Sequence, residues 1–382
     1  MFWEYSSFEW KMMLIEKRNW FLAFLALFFF AINYFGLNET STDNLDTEKR
    51  DEAFRAGISV DLFSEEAKDL PEGEEIYQNL LSELSALNMQ KYFATEDNHS
   101  EFIEQGRLIN QLRLRNEELN YIGMYKSYIV PATDVQKDEA FLSYIEENQM
   151  PLIEEGYAAS RYLIDTLTNI SGLIFYVFII VVTHRILIYE RSHQTILRGL
   201  PISKTQKVHS KFLVYFISIV GLLALCFGLA FLVGALGDGT GDFRYPRLIY
   251  LNGEFQAIST TLYLTYLFLG LVVVTGVVVL LSILLNTFIP NGYATIFIAI
   301  GLYFTSALFS IIGLNQIPFQ LFQFVDIERV LSGDVAIALG NSQLDFIRVL
   351  VILCVCMMIL WGMIYLLQNR TYLRKKRSEA VA

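Results

Sequence analysis

The sequence predicts an all-α integral membrane protein: six transmembrane helices, an N-terminal interfacial helix and a mostly helical extracellular domain. Three observations predict this class. The 382 residues are 54% hydrophobic with a mean hydropathy of +0.40, which is more apolar surface than one water-soluble core of this length needs. Several uncharged apolar runs approach the roughly 20 helical residues that cross about 30 Å of hydrocarbon. Between the first two runs lies a long polar stretch of different composition.

Residues 1–19 mix Phe2, Trp3, Tyr5, Phe8, Trp10, Met12, Met13 and Leu14 with Glu4, Glu9, Lys11, Glu16, Lys17 and Arg18. Aromatic and charged residues so interleaved predict a helix lying in the membrane interface. The first span, 20–37, ends in Ala31-Ile32-Asn33-Tyr34-Phe35-Gly36 after this long aromatic prefix, which reads as an uncleaved anchor rather than a signal peptide.

Residues 38–167 carry 28 Asp and Glu against 11 Lys and Arg, a net of −17, whereas the whole chain is at −11. Apolar residues recur there at helical spacing: Ile76, Leu80, Leu81, Leu84 and Leu87; Phe102, Ile103, Ile109, Leu112 and Leu119; Phe141, Leu142 and Ile145. A separate helical domain is expected. The adjacent pairs Glu117/Glu118, Glu146/Glu147 and Glu154/Glu155 point about 100° apart on a helix, poor geometry for a metal or an acid/base dyad, and read as solvated surface.

Residues 168–367 hold the remaining spans, near 170–183, 212–235, 261–285, 293–313 and 346–367, and 368–382 form a basic tail. The run at 170–183 is short. Residues 162–167 and 186–189 around it suggest a helix protruding from the bilayer on both sides. Orientation follows from basic residues flanking the spans. Lys11, Lys17, Arg18, Arg185, Arg191, Arg198, Lys204, Lys207, Lys211, Arg370, Arg374, Lys375, Lys376 and Arg377 share one side, and only Arg244, Arg247, Arg329 and Arg348 lie on the opposite short connections. The positive side is cytoplasmic, so both termini are placed inside and 38–167 outside.

The loop 190–211 carries the functional reading. Thr195, Ile196, Leu197 and Leu200 give a short helix a compact apolar patch flanked by Arg191 and Arg198. Pro201 ends that helix, and Ser203 is placed to cap the next. An exposed apolar knob with a charged rim suits docking in a groove of another protein.

On these residues the chain resembles the ABC-2 exporter permeases. In that family a glutamate at the end of the second span is followed by a Thr, a Leu-rich turn, a Leu-Pro-Ile-Ser element and a Lys opening the third span. Here these are Glu190, Thr195, Leu197, Leu200-Pro201-Ile202-Ser203 and Lys211. The resemblance implies that 192–200 is a coupling helix seated on a separate ABC ATPase subunit. Glu190, Arg191, Thr195, Leu197, Arg198, Leu200, Pro201, Ser203 and Lys204 would make the coupling contact. It further implies a second permease copy or a homologous permease, a bacterial plasma membrane, and ATP and Mg held by the partner. The segment 318–333 is similar to that family's external re-entrant region. The chain departs from the pattern in Gln194, where a Gly usually precedes the coupling Thr, and in its long external segment, found in a subset of members.

No phosphate-binding Gly-x-x-x-x-Gly-Lys-Ser/Thr loop occurs in the sequence. The run from Gly199 to Thr205 lacks the second glycine, and Pro201 removes an amide donor. No bound cofactor, metal or catalytic residue is expected of this chain. The four histidines have no ligand spacing for zinc, and Cys226, Cys354 and Cys356 read as packing residues inside apolar runs. The polar residues Thr265, Thr275, Asn286, Tyr303, Thr305 and Ser306 lie in spans and are candidates for lining a path, with helix-to-helix hydrogen bonding as the plainer role. Their lack of charge favours an amphipathic peptide or lipid as cargo. An intramembrane hydrolase would need paired carboxylates or a Ser/Lys constellation inside the bilayer, and the spans carry none. A mechanotransmitting ABC protein would have four spans in its basic unit. The remaining alternative is a non-transporting receptor or immunity protein that binds peptides through its outer domain. Nucleic acid is not an expected partner of so acidic a chain.

Overall fold

A computed structural model describes residues 1–40, 45–96, 98–152, 157–188, 190 and 202–381. The chain forms two compact units. One comprises 1–34, 162–236 and 264–382, and the other 35–161 and 237–263.

The first unit holds the apolar helices. α1 (Phe2–Ile15) turns at Glu16 into α2 (Lys17–Thr40). The second run forms α8 (Ala159–Ile170) and α9 (Leu173–Thr183), and α10 (Lys204–Gly237), α11 (Thr260–Phe288), α12 (Gly292–Ile311) and α15 (Phe346–Val381) follow. Among the described residues five helices are long and apolar enough to cross a membrane, six if the bent pair α8 and α9 counts as one. Their ends have local causes. Pro290 lies in the break after α11, and Asn291 caps α12 by accepting from the amides of Tyr293 and Ala294. The bend between α8 and α9 corrects the expectation of one helix protruding at both ends: the halves meet at 66°, at Ser171 and Gly172. Gly172 adopts φ +76°, a conformation for which glycine is suited and L side chains are not. α10 begins at Lys204, seven residues before Lys211, so about two helical turns precede the hydrocarbon run. Between α12 and α15 the chain makes 3₁₀ turns at Ile317–Phe319 and Gln323–Val325 and two short helices, α13 (Ile327–Leu331) and α14 (Asp334–Leu339).

In the second unit α3 (Leu45–Asp61), α4 (Glu65–Lys68), α5 (Pro71–Thr95), α6 (His99–Glu118) and α7 (Ala132–Asn148) follow in order, with Pro71 opening α5 and Asn98 capping α6. α5 packs between α3 and α6, and α6 against α7. The helical spacing closes three apolar clusters: Phe102, Ile103, Leu142 and Ile145; Ala53, Ala56, Ala86, Leu87 and Ile109; Phe63, Ala67, Ile76 and Leu80. Charges are buried alongside. Arg113 Nε donates to Glu83 at 2.7 Å, and Lys49 Nζ lies 3.4 Å from Glu52 and 3.6 Å from Asp138. Burial pushes the Glu83 carboxyl up against the pull of Arg113. Burial also works against the Lys49 charge, but Asp138, Glu52 and Glu48 outweigh it and raise its pKa. Glu118 and Glu146 are exposed and pair with Arg115 and Arg107, the solvated role expected of them, whereas Glu154 and Glu155 lie outside the described residues.

An antiparallel hairpin completes this unit and qualifies the all-helical expectation. β1 (Pro246–Leu251) pairs with β2 (Glu254–Ser259) in the register Pro246↔Ser259 to Leu251↔Glu254, and the hairpin packs on α7. Asn252 and Gly253 both have positive φ, 54° and 89°, as a two-residue hairpin turn requires. The Asn-Gly pair between Leu248-Ile249-Tyr250-Leu251 and Phe255 is the sequence signal for it. Tyr144 Oη donates to the Arg244 carbonyl at 3.0 Å and Tyr245 Oη to that of Leu152 at 3.0 Å, tying the segment before the hairpin to the helices.

Candidate functional site

The candidate site is the polar base of the loop between α9 and α10. Of the nine residues expected to make the coupling contact, Arg191, Thr195, Leu197, Arg198, Leu200 and Pro201 lie outside the described residues. Glu190, Ser203 and Lys204 are described and flank the loop. Ser203 caps α10 as its position predicts. Its hydroxyl oxygen accepts from the Gln206 amide at 3.2 Å, and Gln206 Oε1 accepts from the Ser203 amide at 3.1 Å. This reciprocal pair satisfies two amides that the helix leaves unpaired. Lys204 is exposed.

One turn into α10, Lys207 Nζ lies 3.5 Å from Glu190 Oε1, so an ion pair joins the two ends of the loop. A turn further, Lys211 Nζ is 2.8 Å from Glu9 Oε1, with the side chains only 2% and 9% exposed. Ser210 Oγ and Ser6 Oγ are 2.9 Å apart. Tyr5 and Glu9 are the buried residues of α1, while Trp3, Trp10, Leu14 and Ile15 are exposed. Tyr5, Ser6 and Glu9 share one side of a helix through i, i+3 and i+4 spacing. α1 therefore turns its polar stripe inward and its tryptophans outward. Near hydrocarbon a lysine needs a partner, and a carboxylate packed in protein supplies it.

A second contact fastens α2 to the end of α9. Arg18 Nη1 lies 3.2 Å from His184 Nε2, and His184 Nδ1 lies 2.7 Å from the Val181 carbonyl. A guanidinium only donates, so Nε2 is the acceptor and Nδ1 carries the proton. Burial, with Arg18 and Arg185 nearby, lowers the His184 pKa and keeps the ring neutral, although the Val181 carbonyl and Glu16 pull the other way. His184 is thus a buried acceptor. On the far side of α10, His209 packs edge-on to Trp361 of α15 with centroids 4.2 Å apart, and Phe212 meets the same ring at 5.3 Å.

The six candidate path-lining residues are not brought together. Thr275 and Asn286 are buried on α11 and donate to the carbonyls of Leu271 and Ser282 in their own helix, and Thr265 is exposed. Thr305 donates to Leu302 of its own helix, and Tyr303 packs against Tyr176 with centroids 5.2 Å apart. Ser306 bonds to another segment, donating to the Phe319 carbonyl and accepting from the Phe322 amide. Thr275 and Thr305 satisfy their hydroxyls within their own helices, because a Thr three or four residues after a helical carbonyl already has an acceptor. The three cysteines are free thiols, Cys226 buried and the other two partly so.

Reading the sequence missed Tyr5, Ser6, Glu9 and Ser210. The available signal was the pair Lys207 and Lys211, one turn apart at the mouth of an apolar run and in need of acidic partners. Compared with family models, curated proteins and solved structures, the chain matches none.

Proposed function

We propose that this chain is the permease subunit of an ABC-type exporter, forming the translocation path and coupling it to a separate ATPase subunit. The observation that carries this reading is the built base of the loop: Glu190 paired with Lys207, and Lys211 with Glu9, at the ends of a segment whose sequence predicts an apolar knob beside two arginines. Force applied to such a knob reaches α10 through Lys207 and α1 through Lys211. A loop on flexible ends would dissipate it.

In this reading the termini and the loop are cytoplasmic, following the basic residues, and the acidic second unit is extracellular. ATP and Mg are bound and consumed by the partner. ATP closes a pair of ATPase subunits, their motion carries the coupling helices of two permeases, and a path between the permeases opens outward. Spans without charged interiors suit an amphipathic peptide or lipid as cargo, and a bacterial plasma membrane is the proposed location.

The test is co-purification of the chain from its native membrane, followed by an ATPase assay. A stoichiometric ATPase that is lost on Leu197→Asp supports the proposal, as does ATP turnover uncoupled from transport in Glu190→Ala. Absence of such a partner under conditions that preserve membrane complexes refutes it. One observation favours the second reading, a receptor or immunity protein. A groove of about 350 Å³ lies between α3 and α5, lined by Arg50, Ala53, Phe54, Gly57, Ile58, Asp61, Asn88 and Lys91. Peptide binding there with no partner-stimulated ATP turnover would select it.

A further inference from the structure

The break in the second run is held from outside its own helix. Ser171 is the last residue to continue α8, its amide donating to the Leu167 carbonyl at 2.9 Å, and α9 starts with the Tyr176 amide donating to Gly172 at 3.0 Å. The Ser171 hydroxyl donates to Asp326 Oδ1 at 3.0 Å and accepts from the Glu328 amide at 3.2 Å. The same carboxylate lies against Gly172: a Cβ added there would sit 2.6 Å from Asp326 Oδ2. Asp326 also stands at the N-terminal end of the 11-residue α9, where a negative charge is favoured.

The residue between these two contacts faces elsewhere. Ile327 is fully buried and presses on α11 at Gly270, where an added Cβ would lie 2.5 Å from its Cγ2. Three consecutive residues thus join the break to α11, the most buried of the five unbroken apolar helices. The segment is itself anchored. Phe319 and Phe322 bond to Ser306 of α12, and Phe322 meets the ring of Tyr176, whose hydroxyl donates to the Ala299 carbonyl at 2.9 Å.

We propose that Ser171 and Gly172 form a hinge in the second span, and that Asp326 is its latch on a strap, 323–331, which links the hinge angle to α11 through Ile327. A helix broken by a 66° bend resists further bending less than an intact one. The hinge closes through the two hydrogen bonds of the Ser171 hydroxyl, to the Asp326 carboxylate and from the Glu328 amide, and one close approach that only glycine permits. Segments that move are drawn from the least secured parts of a fold. Nothing here rests on the exporter reading, since a receptor would use the same hinge to carry a signal along the second span.

The test is peptide-resolved hydrogen exchange on the full chain in lipid nanodiscs, without any ATPase. Asp326→Ala is expected to speed exchange about tenfold or more over 171–177 and 323–331, leaving 76–90 in the second unit at its normal rate. Asp326→Asn, which keeps an acceptor but loses the charge, should lie between. Gly270→Ala, which displaces Ile327 without touching the carboxylate, should speed both segments as well. Wild-type rates over 171–177 in Asp326→Ala would overturn the latch, and wild-type rates over 171–177 in Gly270→Ala would overturn the link to α11. If Asp326→Ala loosens the whole chain, Ser171→Ala decides. Local acceleration supports the latch, and an unchanged rate overturns it.

Discussion

Removing either member of the buried pair Glu9 and Lys211 should cost more than removing both. The groups lie 2.8 Å apart with side chains 9% and 2% exposed, so solvent can hydrate neither after its partner is lost. Stranding one charge in such a site costs about 3–5 kcal/mol, whereas replacing both by apolar or neutral groups of similar volume is often close to neutral. Lys211→Met and Glu9→Gln are the single changes, and together they complete a double-mutant cycle. At about 2–4 °C per kcal/mol for a chain of a few hundred residues, each single variant should melt roughly 10 °C lower. The double variant should recover most of that loss. Thermal unfolding of the purified protein in one detergent, followed by tryptophan fluorescence, measures all four species. Trp3 and Trp10 lie on α1 itself, so detachment of that helix is reported directly. Single and double losses that simply add would refute the pair as a coupled unit. No loss in Lys211→Met would refute the burial argument altogether.

The reciprocal cap of α10 gives a smaller expectation. Ser203→Ala should destabilise the first turn by about 1 kcal/mol, read as faster exchange of the Gln206 amide, and Ser203→Asp should retain the cap. Glu328 supplies a pH dependence. Burial, with Asp326 and Asp334 nearby, raises its carboxyl from the ordinary 4.5 to about 7, against the pull of Arg329. The folded strap then holds a proton that the unfolded chain releases, so stability should fall as pH rises from about 4.5 to about 7 and level off above. Glu328→Gln should flatten that slope, and an unchanged slope in melting temperature would contradict the assignment. In the hairpin, Gly253 holds φ +89°, so Gly253→Val should cost about 1–2 kcal/mol, while Asn252→Gly should be tolerated. Exchange of the Tyr250 and Phe255 amides separates the two.

Much of this architecture was legible because hydrocarbon imposes a local rule. A helix that crosses it needs about 20 apolar residues, and that requirement is written in consecutive positions. The helical periodicity of 76–87 and 102–119 was equally local, and the residues it marked join the clusters of the second unit except Leu112 and the exposed Leu81. Ser203 could be assigned as a cap from its place after Pro201, since a cap bonds to residues three ahead. The base of the loop was only half legible. Glu190 and Lys211 stood out, but Glu9 looked like one more charge on an interfacial helix, because its partner lies 202 residues away in the chain.

The sequence by itself determined that this chain carries apolar helices suited to a bilayer and a strongly acidic helical segment, because composition and period depend only on neighbours along the chain. Tertiary structure alone decided which lysine meets which carboxylate. It also decided that the hairpin 246–259 joins the acidic helices, and that the second run breaks at Gly172 with Asp326 against it. Each of these depends on distant segments meeting within a few ångströms, and the residue types at such contacts are common enough in sequence that only their packing singles them out.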